Sequence, residues 1–313
     1  MAGIPRIERG LRCFISVICF PLTMIQMLCT QRDVSRYKPQ GQLVGMDKGC
    51  LHAQLTGQGA HTIVLEAGMG GCSLDWTLVQ PEISRFAKVI SYDRAGLGWS
   101  GKPLEEATCR NYAVKLRDLL QALDCEPPYL LVGHSYGGMI VRSFAVEYPD
   151  EVEGLLLVDA VHESRYLAAE MSGLRHKQWR ANLALYRLGY LLSPTGLLRL
   201  LGRHVGTRRL PAPVQRITRA LGYRNNACKT AYAEMLFAEE SARQLSMSPP
   251  LSLELPITVL SASMQTDEWK RGQERLSQLT PKTKHILVEN SWHSIQIHRP
   301  DMIIAAIKDL MTS

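Results

Sequence analysis

The sequence predicts an α/β fold: a doubly wound, mostly parallel sheet with a helical segment inserted between two of its strands. Three observations carry this reading. Short, nearly continuous apolar runs recur along the chain, as strands covered on both faces require. Segments with helical spacing separate them, the alternation that crossovers between parallel strands produce. That alternation stops between residues 163 and 250 and then resumes. With 313 residues, the chain has room for one large domain with such an insertion, and its composition of 46% apolar and 21% charged residues is that of a globular protein.

Taken in order, the strand-like runs are Lys48 to Leu55, His61 to Glu66, Val89 to Asp93, Tyr129 to Val132, Leu155 to Asp159, Ile257 to Leu260 and His285 to Val288. Helical patterns fall between them at Trp76 to Phe86, Arg110 to Leu123, Gly138 to Tyr148 and Glu268 to Leu279, and Ile303 to Ile307 suits a closing helix. The interrupting stretch is rich in Leu, Arg and Tyr at helical spacing and is cut by Ser193-Pro194-Thr195-Gly196 and Pro211-Ala212-Pro213. The expected organisation is a leader over residues 1–40, a sheet core over 41–162 and 251–313, and a helical cap over 163–250.

In the leader, Arg6, Arg9 and Arg12 precede an uncharged run from Cys13 to Gln31, long enough to span a bilayer as one helix. No small-x-small cleavage site follows, and Leu28 does not suit a lipid-modified Cys29. The segment therefore predicts a membrane-anchored or secreted protein, or a cytoplasmic one if it is not a signal. Arg32, Arg36 and Lys38 follow it, so flanking charge does not set an orientation.

The formal charge is +7, and residues 163–250 alone carry 14 Lys/Arg against 5 Asp/Glu. The arginines suit solvated faces of amphipathic helices or a surface that meets anionic lipid headgroups. No stacking groove or recognition motif accompanies them, so no nucleic-acid partner is expected. The eight cysteines have no regular spacing and no Cys-x-x-Cys, which supports neither a disulfide framework nor a metal site. Nor is a cofactor expected: the glycines after Leu65 lack the Gly-Lys-Ser/Thr of a phosphate loop, and no Gly-x-Gly-x-x-Gly occurs.

The chemistry is carried by Gly133-His134-Ser135-Tyr136-Gly137-Gly138, between an apolar strand and a helical stretch. A serine on a sharp strand-to-helix turn needs small residues two before and two after it, and the turn lifts its hydroxyl above the sheet. The Tyr136 amide then points at a developing oxyanion, and Met69 in Ala67-Gly68-Met69-Gly70-Gly71 is positioned to give a second amide. A serine hydroxyl needs a base, and the base an orienting acid. His293, after the last strand and before the last helix, is the favoured base among nine histidines. His134 lies within the elbow, His162 in a loop near the cap, and His298 ahead of Arg299-Pro300. For the acid, Asp159 at a strand end is favoured because the strand fixes it, with Asp267 in the loop after the next strand as the alternative.

These residues give the chain a resemblance to the α/β-hydrolase superfamily, in particular its capped single-domain bacterial serine hydrolases of esterase, lipase or proline iminopeptidase type. Tyr92-Asp93-Arg94-Ala95-Gly96-Leu97-Gly98-Trp99-Ser100 resembles that family's Asp-Arg-x-Gly-x-Gly-x-Ser turn, and Trp292-His293 with Arg299-Pro300-Asp301 its closing motif. The resemblance covers about Leu43 to Val161 and Leu255 to Met311. Ser291-Trp292 stand where glycine is frequent, and Ala67 where a histidine is frequent, departures that bear on loop rigidity and pocket shape. Lipase-like relatives carry the acid where Asp159 lies. Dehalogenase and epoxide-hydrolase members use an aspartate nucleophile, against which Ser135 stands. The resemblance implies cleavage of a small acyl substrate, as a carboxylic ester or thioester. The alternatives are an amide-cleaving aminopeptidase and a non-catalytic ligand-binding protein on the same scaffold.

Overall fold

A computed structural model describes residues 3–202, 207 and 209–312. Its centre is an eight-stranded sheet: β1 (Gln42–Met46), β2 (Gly49–Thr56), β3 (Thr62–Glu66), β4 (Lys88–Asp93), β5 (Tyr129–His134), β6 (Val152–Val158), β7 (Ile257–Ala262) and β8 (Thr283–Val288). The spatial order is β1-β2-β4-β3-β5-β6-β7-β8. β2 runs antiparallel to β1 and β4, and every other pair is parallel. Strand β1 was not anticipated. Its five residues are exposed or half-buried and Gly45 interrupts their apolar stretch, so its pairing with β2 defines it more than its own pattern does.

The parallel strands are buried on both faces, which is why they read as continuous apolar runs. Leu131 and Val64 enter one core with Leu116, Leu120 and Phe144, while Leu130 and Val132 enter the other with Trp76, Ile83, Ile303 and Ile307. The covering helices are α4 (Cys109–Ala122), α5 (Gly137–Glu147), α10 (Asp267–Leu276), the short α11 (Ile295–His298) and α12 (Pro300–Leu310). The single helix expected over Trp76 to Phe86 is broken into a 3-10 turn, Ser73–Trp76, and the short α3 (Gln80–Ile83). Pro81, which lacks an N–H, sits in the first turn of α3, where helices tolerate it.

Between β6 and β7 the chain forms α6 (Gly173–Leu192), α7 (Leu197–Leu200), α8 (Ala212–Gly222) and α9 (Asn225–Ser246). Gly196, at φ 67°, ends the Ser193–Thr195 turn ahead of α7. Helix α9 packs against α6 on one side and against α4 and α5 on the other, so the insert rests on the helices that flank the elbow.

The leader departs from expectation. Instead of one span it forms α1 (Arg6–Ile18) and α2 (Phe20–Arg36), bent by 96° at Cys19. Pro21 has no N–H for the carbonyl four residues back, so the helix cannot run straight through. Among the described residues no single helix is long and apolar enough to cross a membrane, although the bent pair passes that test jointly by length and composition. Both helices pack on the insert, α1 on α6 and α2 on α8 and the Ser193–Thr195 turn. All eight cysteines are free thiols, three of them buried.

Candidate active site

The topology brings three loops to one edge of the sheet. β5 lies between β3 and β6 and runs parallel to both, so the segments after all three strands emerge side by side. Those segments contain Met69, Ser135 and Asp159.

Ser135 sits between the end of β5 and the start of α5 at φ 53°, a left-handed conformation that costs a non-glycine residue strain. It is held there by its N–H donating to Val158 O at 3.1 Å and its carbonyl accepting from Gly138 and Val161, both at 3.0 Å. The collisions anticipated from the spacing have named partners. A Cβ at Gly133 would lie 2.7 Å from the Gly137 carbonyl oxygen and from Val141 Cγ2, and one at Gly137 would lie 2.6 Å from Ala67 O.

His293 hangs from the loop between β8 and α11. Its Nε2 is 2.9 Å from Ser135 Oγ and its Nδ1 is 2.7 Å from Asp159 Oδ2. Asp159 is wholly buried, and its carboxylate accepts further bonds from Ala262 N at 3.1 Å, Trp269 Nε1 at 3.0 Å and Gln265 Nε2. These donors satisfy the buried carboxylate. Its bond to Nδ1 selects the His293 tautomer with the proton there, leaving Nε2 free to accept from the serine hydroxyl. The Trp269 ring also stands edge-on to His293, with centroids 5.0 Å apart. The alternative acid, Asp267, is not brought to His293. It is an exposed residue of the first turn of α10, capped by Thr266, where a carboxylate complements the helix dipole.

The segment after β3 closes a tight turn in which Gly71 N donates to Gly68 O at 3.0 Å, with Met69 as its second residue. The turn adjoins the elbow: a Cβ at Gly68 would lie 3.3 Å from Ser135 Cβ. Neither the Met69 amide nor the Tyr136 amide has an acceptor among the described residues.

A buried ion cluster grips both sides of Met69. Arg94 donates through Nη1 to Ala67 O at 2.7 Å and through Nη2 to Gly68 O at 2.6 Å. Its Nε bonds Glu234 Oε1 of α9 at 2.8 Å, and the other Glu234 oxygen accepts from Gly70 N at 2.7 Å. Glu66 completes the set, bonded to Arg94 and to the Tyr92 hydroxyl. Burial pushes the Glu66 carboxyl up against the pull of Arg94. Burial disfavours the Arg94 charge too, yet Glu234 and Glu66 hold its pKa well above the ordinary guanidinium value. Trp269, Gln265, Arg94 and Glu234 were not singled out for roles from the sequence. Arg94 stood in a recognised turn, whereas no local pattern marks the other three.

The remaining histidines serve other ends. His134 is buried and bonds the His293 carbonyl at 3.1 Å and Gln296 at 3.2 Å. Burial, then the neighbouring His293, keeps it neutral, with its pKa well below the usual range. His162 caps the 3-10 turn Glu163–Arg165, and burial lowers its pKa to about 4. His298 bonds Ser291 Oγ at 3.3 Å, which ties down the loop where glycine was expected. Tyr136, Tyr166 and Trp179 stack edge to face within a buried core cluster against which Met69 packs.

Comparison with known proteins agrees with this architecture. Residues 61–300 match the family model described as alpha/beta hydrolase fold. A 113-residue stretch is 38% identical to the uncharacterized protein YqjL of Bacillus subtilis, covering 36% of this chain and 45% of that protein. The chain thus spans under half the length of this and other curated relatives it matches. In three dimensions it is similar to the epoxide hydrolase CorEH, with a TM-score of 0.73 and 18% identity over 87% of this chain and 98% of that one. It is likewise similar to a thermophilic esterase from Thermogutta terrifontis, with a TM-score of 0.67 and 20% identity over 87% and 98% of the two chains. With the sheet order, the elbow and this match over most of its length, the chain belongs to the α/β-hydrolase family.

Proposed function

We propose that the protein is a serine hydrolase that cleaves a carboxylic ester or thioester. The observation that carries this reading is the continuous chain from Ser135 Oγ through His293 to a fully hydrogen-bonded Asp159, with links of 2.9 and 2.7 Å. Ser135 Oγ attacks the acyl carbon while His293 Nε2 takes the hydroxyl proton. The carbonyl electrons move onto oxygen, which the Met69 and Tyr136 amides receive. Collapse expels the alcohol or thiol, protonated by His293, and leaves an acyl-serine. Water then repeats the sequence with His293 as base, releasing the acid and free Ser135. No cofactor or metal takes part in this scheme. Epoxide opening by a carboxylate nucleophile does not fit, since residue 135 is serine.

A fluorophosphonate probe tests the reading together with a panel of esters, thioesters and aminoacyl amides. Labelling of the wild type and none of Ser135→Ala, with turnover of esters or thioesters, is the expected result. Equal labelling of both proteins overturns the nucleophile, turnover confined to the amides replaces the ester reading with an aminopeptidase, and labelling without turnover of any panel member leaves a ligand-binding protein.

A further inference from the structure

The two N-terminal helices are built inside out. On α1, Glu8 and Arg12 face the protein: Glu8 accepts from Tyr232 Oη at 2.7 Å and pairs with Arg187 at 3.0 Å, and Arg12 Nε donates to Tyr190 O at 3.1 Å. On α2 the inward residues are again polar, with Gln26 Nε2 bonding Tyr223 O at 2.8 Å and Asp33 pairing with Arg199 at 2.7 Å. The outward faces are apolar. Ile7, Leu11, Phe14 and Ile18 line one side of α1 at i, i+4, i+7 and i+11, each at least 41% exposed. Phe20, Met24, Met27 and Leu28 do the same on α2, each at least 40% exposed. A surface helix in water turns its apolar stripe to the core and its charges out, and a soluble monomer rarely leaves so large a continuous apolar surface open.

The structure assigns this face to a lipid bilayer: we propose that α1 and α2 lie in the interfacial plane of an anionic membrane, with their apolar sides among the acyl chains. Charge selects this occupant. Glu8 and Asp33, the only acids of residues 1–40, are turned inward and paired, whereas Arg6, Arg9, Arg32, Arg36 and Lys38 are exposed. That positive charge on and beside the same two helices suits anionic headgroups, and a second copy covering the same face would bring like charges together. Geometry selects lying over spanning. The helices have 13 and 17 residues and so reach about 20 and 26 Å, short of the roughly 30 Å hydrocarbon core, and they are bent by 96°. A span would also strip Glu8, Arg12, Gln26 and Asp33 from their partners on the insert. The opposite, polar face of α1 meets Tyr232 of α9, the helix whose Glu234 bonds Gly70, so docking would set the insert beside the lipid surface.

Flotation of the full chain tests this, using phosphatidylcholine vesicles with and without phosphatidylglycerol. The expected result is flotation with the anionic vesicles, weakened about ten-fold by high salt or by leaving out the anionic lipid, and release of the bound protein by alkaline carbonate. The variant Phe14→Asp/Ile18→Asp/Met24→Asp/Leu28→Asp should stay at the bottom of the gradient while keeping the wild-type circular dichroism spectrum and fluorophosphonate labelling. Three outcomes overturn the inference: wild type that never floats, a variant that floats as well as wild type, or bound protein that resists carbonate and so spans the bilayer. Wild type that is a dimer without lipid, does not float, and becomes monomeric on the four substitutions assigns the face to a second copy instead. Fluorophosphonate labelling is read separately, so this inference and the hydrolase reading fail independently.

Discussion

At the scale of single residues, the proposed mechanism divides the site into groups that react and groups that hold them. Ser135→Ala should lower ester turnover at least 10⁴-fold, and Asp159→Asn by about 10⁴-fold, because the amide favours the wrong imidazole tautomer. Asp267→Asn should leave kcat within two-fold of wild type. Steady-state kinetics on one ester separates the two aspartates, and a reversed ranking would move the acid to Asp267. The Arg94–Glu234 pair makes a different prediction. By holding Gly68 O and Gly70 N, it aims the amide between them. Glu234→Gln should therefore lower kcat about 10- to 100-fold with little change in KM, the mark of an interaction used mainly in the transition state. A purely structural role would instead lower the melting temperature and leave kcat per folded molecule intact.

At the scale of elements, the connection from β6 into the insert is stapled to the elbow helix. Arg142 of α5 bonds Glu163 through both terminal nitrogens, at 2.6 and 3.2 Å, where the insert begins. Burial works against the Glu163 charge, but Arg142 outweighs it and holds the carboxyl at about 2. A carboxyl depressed in the folded state contributes stability above its unfolded pKa and loses it as the pH falls toward 2, a term of about 3 kcal/mol at neutral pH. His162, half-buried and with its pKa lowered by desolvation, acts in the same direction over an earlier window. The folded protein takes up its proton only near pH 4, whereas the unfolded chain does so near 6.5, so its contribution is lost between those values. Thermal melts should show His162→Asn with a shallower loss of stability than wild type from pH 6.5 to 4. Arg142→Met should lose most of the Glu163 term at neutral pH, and equal slopes in wild type and His162→Asn would exclude the histidine.

At the scale of the whole molecule, two cores on opposite faces of one sheet hold the site at the sheet's edge. Leu131, wholly buried two residues before Gly133, tests how far that frame is separable from the chemistry. Leu131→Ala should cost about 3 kcal/mol and lower the melting temperature by roughly 6–12 °C. The kcat measured well below the new melting point should change less than two-fold, since Ser135 is fixed by backbone bonds to Val158, Gly138 and Val161.

What the sequence determined by itself was local in origin. Apolar runs are legible because a strand covered on both faces has no polar side to show. The elbow is legible because its steric limits fall on residues two positions from Ser135, and His293 because loop and helix signals surround it. The N-terminal segment shows where such reading stops: its composition suits a single span, yet Pro21 and the polar partners on the insert bend it and turn it inside out. Tertiary structure alone decided the relations between distant residues. His293 meets Asp159 from 134 positions away, and Arg94 meets Glu234 across 140. Periodicity and spacing report which face a residue occupies within its own element. Which carboxylate reaches an imidazole, or which helix reaches a loop, depends on strand order and on how the insert packs, and no local window of sequence contains that information.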